Sequence, residues 1–311
     1  MRILIVGAGA TGGYFGARLL EAGKDVTFLV RPRRAEQLAA RGLVVKSRRG
    51  DIAVAAPTIL SEDISTPWDV VILSCKAYDL DGAIASVAPA IGPQTAILPL
   101  LNGMRHLDVL EERFGSGHVL GGLCAIASTL DADGVIHHLN DLHMLVFGER
   151  DGRASDRVGE LAGIFADTSA DTRASDVIIQ EMWEKWVFLS TLAASTCLMR
   201  AAVGDIVVAG GVDIVMSLLA ETQSVAEAAG HGARPKVLEN ARAQLTMAGS
   251  PMSASMLRDL EKGGSIEADH VIGDLLRRGQ AAGLGIPLLK LAYLHLKAYE
   301  ARRQRETVRR S

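Results

Sequence analysis

Residues 2–12 read Arg2-Ile-Leu-Ile-Val-Gly7-Ala-Gly9-Ala-Thr-Gly12, and their order decides the fold. Arg2–Val6 is an apolar run of strand length, and Thr11–Ala22 continues as a helix, so the three glycines stand at a strand-to-helix turn. At such a turn Gly7 permits the tight bend, Gly9 lets the backbone approach a pyrophosphate, and Gly12 lets the helix pack closely on the strand. Ala8, Ala10 and Thr11 contribute backbone to the same loop, with the first helical amides facing the phosphates. Gly7-x-Gly9-x-x-Gly12 is informative because a strand precedes it and a helix follows it.

Outward from this turn, strand-like runs at Asp25–Val30, Val70–Ser74 and Thr95–Leu98 alternate with helical segments such as Ala35–Ala40. That alternation forces a parallel sheet with right-handed crossovers. Val119–Ser128 and Val135–Phe147 carry β-rich runs about the turn Asp131-Ala-Asp-Gly134, which predicts an antiparallel extension. From about Ile178 helical periodicity takes over through Gln180–Arg200, Val212–Ala229, Val237–Ala248, Ala254–Gly263, Ile266–Ala282 and Pro287–Gln304. The expected fold class is an α/β N-terminal Rossmann domain, mostly parallel with an antiparallel extension, followed by an all-α C-terminal domain. Residues 1–170 read as the dinucleotide-binding domain and 171–311 as the helical substrate domain, with Asp167–Asp176 as the connection.

Composition narrows the function classes. The 311 residues exceed the usual span of one hydrophobic core, and 49% apolar with 22% charged residues is ordinary for a globular protein. A net charge of −3 spread along the chain recruits neither nucleic acid nor an anionic membrane. The one basic cluster, Arg302, Arg303, Arg305, Arg309 and Arg310, reads as a solvated helix end. No apolar stretch is long enough to span a bilayer, and Met1-Arg2 leads directly into a strand, unlike a leader peptide. Cys75, Cys124 and Cys197 are far apart among apolar neighbours, which predicts reduced thiols and a cytoplasmic setting. The histidines lack metal-ligand spacing, and His137 and His138 point to opposite faces of a strand, so no metal is expected.

The end of the second strand selects the cofactor. NAD sites place an acidic residue there for the ribose 2′-hydroxyl; this chain has Arg31, with Arg33 and Arg34 close behind. A guanidinium pairs with a 2′-phosphate, so NADP(H) is the expected cofactor.

Five short motifs in order then resemble the ketopantoate reductase family, the 2-dehydropantoate 2-reductases. They are the glycine turn with Arg31; Ser74-Cys-Lys-Ala77; Leu101-Asn-Gly-Met104; Glu181-Met-Trp-Glu-Lys185; and Ser255-Met-Leu-Arg-Asp259 followed by Ile266-Glu267. The resemblance implies a 2-keto acid reduced to a 2-hydroxy acid, with hydride from the nicotinamide and a proton from Lys185 as general acid. It implies that Glu267 holds the nicotinamide ribose and the substrate end and orients the lysine. Asn102 would contact cofactor and substrate, Lys76 a cofactor phosphate or substrate carboxylate, Ala127 the nicotinamide through its backbone, and Ser255 the substrate. It further implies a small-molecule carbonyl substrate and helical surfaces through which such enzymes form homodimers.

Four positions depart from the family pattern. Asparagines that would meet a polar substrate are replaced by Leu189, Ala193, Val203 and Met252. A site that loses hydrogen-bond partners rejects a polar substrate by roughly 1–3 kcal/mol for each group left unpaired. Two substrate readings therefore stand: ketopantoate, or a more apolar carbonyl compound in a pocket lined by Leu189, Ala193 and Met252. The direction of the reaction stays open. A reading of another class, a non-catalytic sensor of NADP(H), is disfavoured by the retention of Lys185 and Glu267.

Overall fold

The computed structural model describes residues 1–308; Arg309 and Arg310 of the basic cluster lie outside the described residues. The chain forms two compact units, residues 1–101 with 106–179, and residues 102–105 with those from Gln180 onward. In the first, β1 (Ile3–Val6) leads through the glycine turn into α1 (Ala10–Glu21), then β2 (Val26–Leu29) and α2 (Pro32–Arg41). There follow β3 (Leu43–Lys46), β4 (Ile52–Val54), β5 (Thr58–Ile59), β6 (Val70–Leu73), α3 (Leu80–Val87), β7 (Ala96–Pro99) and α4 (Arg105–Phe114). The unit closes with β8 (Gly121–Leu130), β9 (Val135–Gly148), α5 (Asp156–Ala166) and β10 (Asp171–Ala174).

Five strands build a wholly parallel sheet in the order β5-β2-β1-β6-β7. Every residue of β1, β6 and β7 is buried, which is why those strands read as continuous apolar runs instead of alternating ones. The antiparallel pair β8–β9 is present, but it belongs to a second sheet ordered β10-β9-β3-β4. Among the described residues an isolated bridge, Ile97 with Val119, links its run to the parallel sheet. Strands β3, β4 and β10 are only three or four residues long, and β10, Asp171-Thr-Arg-Ala174, is largely polar; long β9 supplies an edge on which β3 and β10 pair in turn. The first unit thus takes in residues 171–179, past the boundary placed at residue 170, because β10 is a sheet strand where a bare connection was expected.

Helix α1 lies between the two sheets. Its Gly16 faces Phe28 and Ile5 of one sheet, and its Gly13 faces Ile136 of the other, each so closely that a methyl group would collide. A helix covered on both sides has no solvent face to keep polar, and even Arg18 on α1 is 2% exposed. Its Nη2 donates to the carbonyls of Arg49 and Gly50 at 3.2 and 2.9 Å and to the Tyr14 hydroxyl, and its Nη1 to Glu21 at 3.2 Å, while the buried Nε has no hydrogen-bond partner. The adjacent histidines diverge as expected: His137 meets exposed Asp131 at 2.7 Å, and buried His138 meets Ser47 at 2.8 Å.

The second unit is helical: α6 (Ile178–Met199), whose first two residues belong to the first unit, α7 (Val203–Val208), α8 (Val212–Ala228), α9 (Pro235–Leu245), α10 (Ser255–Glu261), α11 (Asp274–Ala281) and α12 (Pro287–Val308). The buried hydroxyls of α6 are satisfied without water, Thr191 on the Val187 carbonyl, Ser195 on Thr191 and Thr196 on Leu192. The segment read as one helix over Ile266–Ala282 instead begins with a π turn at Asp269–Gly273. Periodicity cannot reveal a one-residue bulge of this kind; packing of Gly273 against the Tyr293 ring accompanies it. No helix among the described residues is long and apolar enough to cross a membrane. Among the same residues, no cluster of three or more His, Cys, Asp or Glu side chains could hold a metal ion. Cys124 and Cys197 are buried and Cys75 is half-buried.

Candidate active site

In the first unit the glycine turn is shaped by what surrounds it. Gly7 has φ +92, a conformation open to glycine. A Cβ on Gly12 would fall 1.9 Å from Ser74 Oγ and 2.6 Å from the Gly7 carbonyl, whereas one on Gly9 would meet nothing within 4 Å. Close packing is therefore the role of Gly12, and the open space over Gly9 is the cradle a pyrophosphate would fill. The Ser74 hydroxyl braces the turn by donating to the carbonyls of Val6 and Gly7 at 2.9 and 3.2 Å. Gly9 is the N-cap of α1 and offers no side-chain acceptor to the first amides, and the first turn holds no acidic residue. Those amides suit an anion.

Arg31 stands at the end of β2, where its carbonyl accepts from the amides of Arg34 and Ala35 and Pro32 opens α2. Its side chain is 83% exposed and pairs with Asp79 at 2.9 Å. The Asp79 amide in turn donates to the Lys76 carbonyl at 2.9 Å, so the strand-end loops bearing Arg31 and Lys76 are neighbours. Arg34 turns inward: Nε donates to the Ala8 carbonyl at 3.1 Å and Nη1 to Gln37 and Gly134. Burial lowers its pKa, and its buried Nη2 has no hydrogen-bond partner. Arg33 is exposed. The three arginines that look alike in sequence thus differ in kind. Ala127 lies in the second sheet, opposite an irregularity in β9, with its amide donating to Asn140 Oδ1 at 3.3 Å.

In the second unit Lys185 Nζ donates to Asn102 Oδ1 at 3.0 Å, across 83 residues of sequence. Helix α6 presents the lysine, and its other neighbours fix the helix. Trp186 Nε1 and Ser190 Oγ donate to the Val271 carbonyl at 2.8 and 3.3 Å, which brings the segment bearing Glu267 alongside. Glu184, 5% exposed, takes Arg234 Nε and Nη2 at 2.7 and 2.6 Å and the Arg234 amide at 3.0 Å. Burial raises the Glu184 pKa, but those hydrogen bonds outweigh it and hold the carboxyl below its usual range. Glu267 itself is 9% exposed.

Leu189 and Ala193 follow Lys185 at one and two helical turns. The next turn, at Thr196, receives the Ala254 amide at 3.4 Å, which sets Ser255 and the start of α10 beside α6. The Val203 amide donates to the Met252 carbonyl at 2.9 Å. Of the four apolar replacements, Leu189 and Met252 keep partly exposed surface; Ala193 and Val203 are enclosed by their neighbours. The bracing by Ser74, the inward turn of Arg34 and the Arg31–Asp79 pair leave no sequence signal, since each depends on contacts between distant segments.

Comparison with known proteins follows the same outline. The family described as "Ketopantoate reductase PanE/ApbA" matches residues 3–152, and its C-terminal counterpart, "Ketopantoate reductase PanE/ApbA C terminal", matches residues 177–300. A Bacillus subtilis (strain 168) protein named "Uncharacterized oxidoreductase YkpB" is 39% identical over 97% of this chain and 99% of its own. The crystal structure of 2-dehydropantoate 2-reductase from Methylococcus capsulatus is 27% identical, with a TM-score of 0.87 over 97% of this chain and 98% of that one. A D-mandelate dehydrogenase solved with NADH and anilino(oxo)acetate shares the fold at 20% identity, with a TM-score of 0.87 over 98% of this chain and all of that one.

Proposed function

This chain belongs to the ketopantoate reductase family of oxidoreductases, and we propose that it reduces a 2-keto acid to the 2-hydroxy acid with NADPH, in the manner of a 2-dehydropantoate 2-reductase. The observation that carries this reading is the hydrogen bond from Lys185 to Asn102. An ammonium has three donors and no acceptor, so the Asn102 carbonyl oxygen holds one N–H and fixes where the others point. Bound NADPH supplies the hydride that the substrate's carbonyl carbon accepts. Lys185 gives a proton to the carbonyl oxygen as negative charge develops there, leaving a hydroxyl on the product and a neutral amine on the enzyme. In the second unit Glu267 would hold the nicotinamide ribose and the substrate end, with Asn102 and Ser255 as substrate contacts; in the first unit Lys76 would meet a cofactor phosphate.

The residues of the first unit fit the cofactor. The cradle over Gly9, the uncapped amides of α1 and the unpartnered Nη2 of Arg34 all favour a phosphate-bearing ligand. The fold itself carries NADH in D-mandelate dehydrogenase, so the choice of nicotinamide falls to side chains, and Arg31 favours the 2′-phosphate. Its pair with Asp79 is no obstacle, because an exposed ion pair is worth only about 0–1 kcal/mol.

A second substrate reading is favoured by Leu189 and Met252, whose partly exposed apolar side chains stand where polar contacts would serve ketopantoate. Absorbance of NADPH, followed with ketopantoate and with bulkier, more apolar 2-keto acids, tests both. Efficient ketopantoate turnover, at kcat/KM of about 10⁴ M⁻¹s⁻¹ or more, supports the first; turnover of the apolar acids alone supports the second; turnover of neither defeats the proposal. If the second holds, Leu189→Asn with Ala193→Asn raises kcat/KM for ketopantoate.

A further inference from the structure

At Gly103 the Asn102–Gly103 turn packs against His270. Gly103 has φ +82, and a Cβ built on it would lie 2.9 Å from the His270 carbonyl oxygen and 3.3 Å from the His270 ring carbon Cδ2. His270 is 7% exposed and sits in the π turn Asp269–Gly273, three residues after Glu267. That turn is fastened to α6 through the Val271 carbonyl, which takes hydrogen bonds from Trp186, the residue after Lys185, and from Ser190 one helical turn on. Three segments distant in sequence therefore converge: α6 with the lysine, the 102–103 turn with its acceptor, and the π turn between them. π turns recur at functional sites because the extra residue places backbone where a regular helix cannot.

We propose that His270 is a positioning residue of this site: it seats the Asn102–Gly103 turn and so keeps the Asn102 carboxamide on the Lys185 ammonium. The role rests on the reading of Lys185 as general acid. A shift of the turn by an ångström would redirect the lysine's remaining N–H groups, and misplacement on that scale costs about a hundredfold in rate. The charged groups facing the imidazole are Glu267 on its own segment, Asp274 and Arg277 on α11, and Arg105 at the start of α4. Burial holds its pKa below 6.5, against the pull of the two carboxylates. The ring is thus neutral at neutral pH, and acidification would place a new cation against the turn that holds another.

The test uses the full chain with NADPH and the best-reduced 2-keto acid, comparing wild type with His270→Phe and His270→Gln. The expected result is a kcat about ten- to a hundredfold lower in His270→Phe, with an unchanged NADPH dissociation constant, and a larger share of activity kept in His270→Gln. Wild-type kcat falls on acidification below pH 6.5 in step with the His270 ring titration followed by NMR, and that limb is missing from both variants. Should the His270 variants fail to fold, Gly103→Ala presses on the same contact from the other side, at a φ of +82 that alanine adopts only under strain, and lowers kcat to a similar degree. Full kcat in a folded His270→Phe or Gly103→Ala protein, or an acid limb that persists in His270→Gln, overturns the role. Absence of turnover in the wild type overturns the reading of the reaction, and this inference with it, whereas an active wild type with unaffected variants overturns this inference alone.

Discussion

Lys185 and Arg31 show how little a residue's type says until its partners are known. A lysine on a largely apolar helix ordinarily runs its stem to solvent; here the ammonium is half-buried and turned to Asn102. Lys185→Met is expected to lower kcat by about 10²–10⁴-fold, the range of a general acid, while the NADPH dissociation constant stays within error; stopped-flow single turnovers and fluorescence titration measure the two. Arg31 is exposed and paired only at the surface, so its removal leaves the fold intact. Arg31→Glu is expected to weaken NADPH binding by about tenfold or more, the loss of one charge-assisted contact, and to leave NADH nearly unaffected. Equal loss for both cofactors would remove the 2′-phosphate from the argument. Arg34 also braces the loop, its Nε bonded to the Ala8 carbonyl while its Nη2 has no hydrogen-bond partner.

At the scale of the element, the β1–α1 turn separates two uses of glycine that the motif writes identically. Gly12 is closed in by the Gly7 carbonyl, a backbone atom that cannot swing aside, while Gly9 faces open space at a φ of −84 that alanine accepts. Gly12→Ala is therefore expected to lower both the melting temperature and NADPH affinity, overpacking costing about 1–3 kcal/mol. Gly9→Ala is expected to keep the melting temperature and lose NADPH affinity alone. Differential scanning fluorimetry with and without NADPH reads both effects, and a destabilised Gly9→Ala would mean that the cradle is packed, not open. Helix α6 makes the complementary point: it is buried on nearly every side, so amphipathic periodicity marks its existence but not its lysine-bearing face.

Across the whole molecule, buried titratable groups set a pH dependence of stability. Burial lowers the pKa of His143 and of His270 below 6.5, so the unfolded chain binds more protons than the folded one as pH falls through 6.5. Stability from these groups is complete above pH 6.5 and is lost on descent from there to their folded pKa values. Glu149 and Glu184 are also lowered, their hydrogen bonds from Arg157 and Arg234 outweighing burial; their contribution is complete above 4.5 and is lost below it. Melting temperature is therefore expected to be level above pH 6.5 and to fall in two stages beneath it, and a single stage confined to the carboxylate range would show that the histidines do not stay neutral. Lys185, Asn102 and Glu267 became candidates only through short motifs that resemble a known family; by itself the sequence determined the glycine turn, the parallel sheet and the helical second half. Those features lie in local backbone demands and in the periodicity of apolar residues, both readable along the chain. Only the tertiary structure decided that β8 and β9 join a second sheet, that Ala193 is enclosed while Leu189 is not, and that Asn102 meets Lys185 over a turn seated on His270. Each of these is a contact between segments tens of residues apart, and no local pattern encodes which distant side chain will arrive.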